Sequence, residues 1–186
     1  MRIFQSKIQG VVIIEPDVYP DPRGFFLEYY NANKYRIAGI GDPFVQDNHS
    51  RSAQGTLRGL HLQREHPQAK LVRVIEGEIF DVAVDLRRRS KTFGQWVGMR
   101  MSAANFRQIY VPAGFAHGFC VMSPEAQVEY KCADYYYPKD EMAIRWDDPE
   151  IGVQWPICDP ILSAKDAAAP LFKDALARLP KEGAYI

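Results

Sequence analysis

Residues 46–70 read QDNHSRSAQGTLRGLHLQREHPQAK, and the prediction of the fold begins with this stretch. It interleaves amide, imidazole, guanidinium and ammonium side chains with Leu57, Leu60 and Leu62. Alternate side chains of a strand point to opposite faces, so strands that line a wet cavity in a small barrel would show this mixture, whereas a surface loop rarely would. The pattern therefore predicts that residues 46–70 form the wall and rim of an active site.

Short β-rich runs surround this stretch and recur at close spacing between Gly, Pro and Asn residues. They cover residues 10–15, 25–30, 44–51, 56–63, 71–76, 78–86, 95–101, 106–111, 115–122 and 127–132. Such runs are typical of an antiparallel sandwich or jelly roll. A short helix is predicted over residues 31–39, with Gly39 at its end. Another is predicted over residues 163–179, where Ser163 and Asp166 resemble a capping box. The predicted fold is all-β, with a few short helices that lie mainly in the C-terminal part.

Two local patterns make finer predictions. The pair Glu76-Gly77 fits a tight hairpin turn. Within residues 78–86, the even positions from 80 to 86 form an apolar face and the odd positions from 81 to 85 carry two carboxylates and an alanine. We expect one face of this strand to pack in the core and the other to carry polar groups.

Composition and charge bound the class of protein. With 186 residues, 47% of them hydrophobic and 25% charged, the sequence predicts one soluble globular domain over residues 1–186. Its formal net charge is zero, so nothing draws the whole molecule to nucleic acid or to a membrane surface. Residues 1–7 lack a signal core, and no run approaches the roughly 20 apolar residues of a membrane span. Three cysteines without Cys-x-x-Cys spacing favour reduced thiols, so a cytoplasmic protein is expected.

Two segments resemble the cupin signature. Gly55, His61 and Gln63 are spaced like its first half, with Gln in place of the second His, and residues 112–117 (PAGFAH) match its second half. The resemblance implies a cupin-like jelly roll, in which two His, one Glu and a final His usually bind a divalent metal. Here Gln63 and Gln68 take two of these positions, and neutral amides are poor metal ligands. We expect no metal and no cofactor.

Further motifs stand in order between residues 10 and 171. They read DPRGFF at 21–26, QDN at 46–48, LRGLH at 57–61, QAKLVR at 68–73, PAGFAHGF at 112–119 and IRWDDP at 144–149. Together they closely resemble the dTDP-4-dehydrorhamnose 3,5-epimerase family. The resemblance implies a cofactor-independent isomerase that inverts C3 and C5 of dTDP-4-dehydro-6-deoxy-D-glucose on the route to dTDP-L-rhamnose.

The resemblance also implies the catalytic residues. His61 matches the base, and Asp166 matches the carboxylate that orients its imidazole. Lys70 matches the cation at the C4 oxygen, with Asp81 expected to pair with it, and Tyr130 matches the acid on the opposite face. The chemistry suits these groups, because both inverted carbons flank the C4 ketone and removal of either proton gives an enolate.

Substrate binding is implied for a second set of residues. Guanidinium groups suit the anionic diphosphate because they bind phosphate oxygens in bidentate fashion. The set comprises Tyr19, Arg23, Phe26, Glu28, Gln46, Asn48, Arg58, Asp81, His117, Tyr136, Glu141 and Lys165. In the family, part of the N-terminal segment crosses to a partner subunit, which implies a homodimer with shared sites.

One conflict and three rival functions stay open at this point. Arg58 and His61 have opposite parity on one strand, so a regular pleat would not aim both inward, although Gly59 between them permits a bulge. The rival functions are a mono-epimerase that inverts only C3 or only C5, a metal-dependent cupin enzyme, and a non-catalytic module that binds dTDP-sugars.

Overall fold

The computed structural model describes residues 1–179, and this part of the chain contains thirteen strands and three short helices. The strands are β1 (Arg2–Gln5), β2 (Val12–Glu15), β3 (Val18–Asp21), β4 (Gly24–Leu27), β5 (Gln46–Ala53), β6 (Leu57–Gln63), β7 (Lys70–Glu76), β8 (Glu78–Asp85), β9 (Trp96–Ser102), β10 (Gln108–Val111), β11 (Phe115–Val121), β12 (Glu125–Cys132) and β13 (Glu141–Ala143). The helices are α1 (Ala32–Ile37), α2 (Ala164–Ala167) and α3 (Phe172–Ala175), and a 3-10 turn follows at Leu176–Arg178.

Two antiparallel sheets face each other around one core. The six-stranded sheet has the order β1-β2-β10-β7-β12-β5, and the five-stranded sheet has the order β13-β6-β11-β8-β9. The main core cluster joins Val72 and Val128 of the first sheet to Ala83 and Phe119 of the second. This arrangement confirms the predicted all-β jelly roll with few short helices. That residues 1–186 form a single domain stays a prediction, since residues 180–186 lie outside the described part.

Strands β3 and β4 form a separate two-stranded hairpin. The sequence predicted one strand at residues 25–30, but β4 ends at Leu27 because the next residues pack on the outer face of the six-stranded sheet. There the Tyr29 carbonyl accepts hydrogen bonds from the Tyr35 hydroxyl at 2.8 Å and from Gln108 Nε2 at 2.7 Å. The short strand β3 has no apolar alternation in its sequence, so the pattern did not reveal it.

The predicted hairpin at Glu76-Gly77 is wrong. Gly77 instead carries the chain from β7 in the six-stranded sheet to β8 in the five-stranded sheet. It adopts φ +77°, and a Cβ at this position would lie 2.1 Å from the Glu125 carbonyl oxygen. The crossing therefore requires glycine both for its backbone conformation and for the close approach of another strand.

Both faces of β8 are buried. On the predicted apolar face, Val82 and Val84 pack against Phe172 of α3 in a second cluster that covers the outside of the five-stranded sheet. On the other face, Ala83 joins the core between the sheets and Asp81 is completely buried. The predicted polar face thus points into the barrel and not to solvent.

The helix predicted over residues 163–179 is two short helices. Ser163 caps α2 as expected, since its hydroxyl accepts a hydrogen bond from the Asp166 amide at 3.1 Å. Pro170 then separates α2 from α3, because proline lacks an amide hydrogen and disfavours helical geometry in the preceding residue. The prediction for α1 is confirmed, with Asn31 as its N-cap and Gly39 at φ +88° just beyond its end.

The segment that follows β13 returns to the barrel before α2. The Leu57 amide donates to the Ile161 carbonyl at 3.0 Å, and the Ile161 amide donates to the Gly55 carbonyl at 2.9 Å. These bonds attach the start of α2 to the start of β6. Among residues 1–179, no helix has the length and apolar character needed to cross a membrane.

Candidate active site

A bulge in β6 aims Arg58 and His61 into the same cavity. His61 lies opposite His117 on β11 and Arg58 lies opposite Phe119, so three steps on β6 face two steps on β11. Gly59 allows this, because it has φ +131° and a Cβ there would lie 2.5 Å from Gly118 Cα. The bulge resolves the parity conflict, since both side chains line one cavity.

Two adjoining cavities lie between the sheets. We name them the Arg58 cavity, of about 350 Å³, and the Gln46 cavity, of about 330 Å³. The predicted site residues that line both are His61, Lys70, Tyr130 and Lys165. Those that line only the Arg58 cavity are Arg58, His117 and Asp166, and those that line only the Gln46 cavity are Gln46, Asn48, Tyr136 and Glu141. Each cavity lies within the usual size range of small-molecule binding sites.

His61 and Asp166 form a short hydrogen-bonded pair. His61 Nε2 lies 2.5 Å from Asp166 Oδ1, and the Ser163 hydroxyl donates to Asp166 Oδ2 at 2.9 Å. Burial alone would raise the pKa of Asp166, but the hydrogen bond and charge of His61 together hold that pKa below its usual value. Asp166 therefore remains ionised and fixes the ring with Nε2 as the protonated nitrogen, which leaves Nδ1 to accept a proton. The same carboxylate serves the helix cap and the imidazole.

Lys70 presents an unpaired ammonium group to both cavities. It forms no hydrogen bond or ion pair with any residue in the described range 1–179. Burial lowers its pKa, and the charges of Cys132, Glu141 and Asp81 act in the opposite direction. A cation held in this way without a partner is suited to binding an oxygen on which negative charge develops.

The expected pairing of Asp81 with Lys70 is wrong. Asp81 instead accepts from His117 Nε2, at 2.9 Å to Oδ2 and 3.0 Å to Oδ1. The two residues lie on neighbouring strands, where Asp81 is opposite Phe119 and His117 is opposite Ala83, so their side chains meet on the diagonal. Asp81 lines neither cavity, and its role in this geometry is to hold the His117 ring.

Tyr130 enters the site from the sheet opposite His61. It lies on β12 of the six-stranded sheet, whereas His61 lies on β6 of the five-stranded sheet. Burial raises the pKa of Tyr130, so its phenol stays protonated at neutral pH. Its hydroxyl has no hydrogen-bond partner in the described part of the chain and is available to a bound ligand. A base on one wall and a proton donor on the other can act on opposite faces of one substrate.

Glu141 connects three side chains at the Gln46 cavity. Its Oε2 accepts from the Tyr136 hydroxyl at 2.5 Å and forms an ion pair with Lys165, while Oε1 lies 3.8 Å from His61 Nδ1. The hydrogen bond to Glu141 raises the pKa of Tyr136 to about 12. The Glu141 side chain is only 11% exposed, so this carboxylate belongs to the wall of the cavity.

The two glutamines at the cupin metal positions form hydrogen bonds with backbone groups of the protein. Gln63 donates to the carbonyls of His66 and Tyr135 at 2.7 and 3.0 Å, and accepts from the Tyr137 amide at 2.6 Å. Gln68 donates to the Asp134 carbonyl at 2.8 Å. No group of three or more His, Cys, Asp or Glu residues within 1–179 has the arrangement of a metal site. These side chains hold the loop after β12 and do not fit a metal ion.

Besides Asp81, four predicted binding residues lie outside both cavities, on or next to the β3–β4 hairpin. Tyr19 and Phe26 form an aromatic pair on the β3–β4 hairpin, with ring centroids 6.5 Å apart, and Phe26 is 69% exposed. The Arg23 guanidinium binds Asp21 at 2.7 Å and its side chain is 90% exposed, while Glu28 pairs with Lys34 at 2.7 Å. Within a single chain, this hairpin does not contribute to the site.

Several residues at the site were not predicted. Ser50 and Phe119 line the Arg58 cavity, and the Cys132 thiol, which lines neither cavity, accepts a hydrogen bond from Asn48 Nδ2 at 3.4 Å. Ser50 shares the parity of Gln46 and Asn48 on β5, so the alternation of that strand was a usable signal for it. The other two are apolar or buried residues in strand runs, where sequence does not separate a cavity wall from the core.

Comparison with known proteins identifies the family. A family model described as dTDP-4-dehydrorhamnose 3,5-epimerase matches residues 5–174. A relative of that name from Pseudomonas aeruginosa is 54% identical over 178 residues, which are 94% of this chain and 98% of the relative. The dTDP-4-dehydrorhamnose 3-epimerase of Streptomyces niveus is 40% identical over 94% of this chain and 86% of its own.

A solved structure gives the same result. The dTDP-6-deoxy-D-glucose-3,5-epimerase of Legionella pneumophila, crystallised in complex with dTDP-4-keto-L-rhamnose, is 50% identical and superposes with a TM-score of 0.93 over 97% of both chains. The cupin-like jelly roll is thereby confirmed. This chain belongs to the dTDP-4-dehydrorhamnose 3,5-epimerase family.

Proposed function

We propose that this chain inverts C3 and C5 of dTDP-4-dehydro-6-deoxy-D-glucose, as a dTDP-4-dehydrorhamnose 3,5-epimerase that uses neither metal nor cofactor. One observation carries the proposal: the oriented base His61, the proton donor Tyr130 and the unpaired ammonium of Lys70 line the same cavities, with base and acid on opposite sheets. The family membership supports the same activity.

The mechanism follows from these positions. His61 Nδ1 removes the proton on a carbon next to the C4 ketone, and the ionised Asp166 at 2.5 Å stabilises the imidazolium that forms. The Lys70 ammonium binds the C4 oxygen, where the enolate charge develops. Tyr130 then donates its proton to the carbon from the opposite face, so the configuration is inverted. Its raised pKa does not prevent this step, because an enolate carbon is basic enough to take a phenolic proton.

The remaining cavity residues are proposed to bind the nucleotide. The Arg58 guanidinium keeps free N–H groups beyond the one that donates to Ser52 at 3.0 Å, and these suit a diphosphate oxygen. Gln46, Asn48 and Tyr136 line the Gln46 cavity together, where amide groups and an aromatic ring suit the thymine base. All three cysteines are free thiols, which supports the proposal that the enzyme works in the reducing cytoplasm.

A homodimer with shared sites is proposed to account for the β3–β4 hairpin. Its exposed Phe26 and its solvent-facing Arg23 are chemically suited to a base and a phosphate, yet neither reaches a cavity of its own chain. In a symmetric dimer, each hairpin would complete the cavity of the other subunit.

Mixed dimers are expected to test this sharing. Arg23→Ala and His61→Ala should each be strongly impaired alone, whereas subunits mixed after denaturation should recover about a quarter of the wild-type activity, because half of the dimers then hold one intact site. The matched control mixes His61→Ala subunits with Tyr130→Phe subunits. Each substitution damages the cavity of its own subunit, so no mixed dimer has an intact site and no recovery is expected. Absence of recovery in the Arg23 mixture would place Arg23 in the site of its own subunit.

Deuterium uptake tests the function itself. Incubation of the wild-type protein with dTDP-4-dehydro-6-deoxy-D-glucose in D₂O is expected to give dTDP-4-dehydro-L-rhamnose with deuterium at both C3 and C5, because each inversion passes through an enolate. Proton NMR of the product measures both positions, and His61→Ala supplies the background exchange.

The same assay separates the rivals. Deuterium at one carbon only would indicate a mono-epimerase, the activity named for the Streptomyces niveus relative, which is less similar to this chain at 40% identity than the Pseudomonas aeruginosa 3,5-epimerase at 54%. Binding without exchange would indicate a sugar-binding module. Turnover that disappears on chelation and returns with iron, manganese or nickel would indicate a metal-dependent cupin enzyme.

A further inference from the structure

The inward side chains of β5 form a row of polar groups along one wall of the site. Gln46 Nε2 donates to Asn48 Oδ1 at 3.1 Å, Asn48 Nδ2 donates to Cys132 Sγ at 3.4 Å, and Ser52 Oγ accepts from Arg58 Nε at 3.0 Å. Ser50, which lies between Asn48 and Ser52, makes no hydrogen bond through its side chain. Three of the four members are thus satisfied within the protein.

The Ser50 hydroxyl is buried without a partner. Its oxygen is the one inaccessible side-chain nitrogen or oxygen atom among residues 1–179 that makes no hydrogen bond. Buried polar atoms without partners are uncommon, because burial removes the hydrogen bonds that water would supply. Ser50 itself lines the Arg58 cavity, so rotation about its χ1 angle would turn the hydroxyl toward the cavity, where a bound ligand can supply the missing bond.

The surroundings of Ser50 indicate which ligand atom it meets. Ser50 lines the Arg58 cavity together with Lys70 and Tyr130, and its cross-strand partner Val128 lies two positions from Tyr130 on β12. Arg58 and Lys70, which only donate, are suited to phosphate and enolate oxygens. A serine hydroxyl both donates and accepts, so it suits a ligand group that does the same, such as a sugar hydroxyl.

We propose that Ser50 Oγ binds the C2 hydroxyl of the sugar and holds the ring in place while its neighbours are inverted. This inference rests on the proposed function. The 4-keto-6-deoxy sugar carries ring hydroxyls at C2 and C3 only, and C3 is itself inverted. C2 is the hydroxyl-bearing carbon whose configuration is the same before and after both steps. A fixed serine can therefore keep one contact through the whole reaction.

Ser50→Ala separates this role from a structural one. We expect kcat/KM for dTDP-4-dehydro-6-deoxy-D-glucose to fall about tenfold, the value of one neutral hydrogen bond to a ligand, mainly through KM. The Tm should stay the same or rise, because the substitution removes an unsatisfied buried hydroxyl. Ser6→Ala is the matched control: its hydroxyl donates to the Ile8 carbonyl at 2.8 Å, far from the cavities, so Tm should fall while kcat/KM is unchanged.

The 2-deoxy analogue of the substrate completes the test. With this analogue, wild type and Ser50→Ala should agree within about twofold, because the partner of Ser50 is absent in both cases. A variant within twofold of wild type on the normal substrate, an equal loss on both substrates, or a fall in Tm like that of Ser6→Ala would each overturn the proposal. Failure of the wild type to take up deuterium from D₂O would instead overturn the proposed function.

Discussion

His61→Ala is expected to lower kcat by about 10² to 10⁴-fold, the usual contribution of a general base, while the Kd for dTDP changes little. The His61 imidazole lines both cavities and has a buried carboxylate behind it, whereas His117, which Asp81 holds in the same way, lines only the Arg58 cavity. Asp166 lies behind the ring, bonded to Nε2 at 2.5 Å and to the Ser163 hydroxyl at 2.9 Å, so its carboxylate does not occupy the position of Nδ1 and is not expected to replace it as the base. Steady-state kinetics and titration calorimetry with dTDP measure the two quantities separately.

His49→Ala is the matched control for this substitution. His49 lies on β5 with its side chain exposed, and its Nε2 lies 2.9 Å from Gln127 Oε1 on the outer face of the sheet. It should retain wild-type kcat. A His61→Ala enzyme with near-normal kcat would remove the imidazole from the mechanism, and an equal loss in His49→Ala would show that the effect is not specific to the cavity.

Lys70→Met is expected to change activity and stability in opposite directions. Loss of the ammonium group should lower kcat about 10² to 10³-fold, the range found when a donor to a developing oxyanion is removed. The free energy of unfolding should rise, because burial already disfavours the charged form and no partner offsets that cost. An increase of about 1 kcal/mol would raise the Tm by about 2–4 °C in a chain of this size. Kinetics and thermal denaturation on the same preparation test both.

Lys91→Met provides the comparison, since Lys91 is exposed in the turn after β8. Neither kcat nor Tm should move much. A Lys70→Met protein that melts at a lower temperature and keeps its kcat would identify Lys70 as a structural residue, and the assignment of the oxyanion partner would fail.

Periodicity and turn residues predicted ten of the thirteen strands, and β1, β3 and β13 were missed. Gln46 and Asn48 line a cavity because the alternation of β5 aims them inward, and that alternation is visible in the sequence, whereas Tyr130 on β12 was identified only by the family resemblance. The sequence also predicted both ends of α1, since the N-cap Asn31 and the terminating Gly39 are local signals.

The sequence did not predict the order, pairing or register of the strands in the same way. Glu76-Gly77 has the composition of a hairpin turn, yet the chain changes sheets there, and the glycine is required by its positive φ and by the close approach of the Glu125 carbonyl. Asp81 was assigned to Lys70 although its neighbour on the adjacent strand is His117. Such pairings depend on strand order and register, which arise from long-range contacts and leave no periodic trace in one sequence.

The hydrogen bond between His61 and Asp166, which lies in the segment that returns after β13, has a consequence for biosynthesis. Asp166 lies 105 positions after its partner, and the backbone bonds of Ile161 to Gly55 and Leu57 bring it there. On the ribosome, every strand of both sheets is translated before the carboxylate that orients the base. A nascent or proteolytically clipped polypeptide that ends before residue 166 can thus contain all thirteen strands and still lack the carboxylate that orients its base.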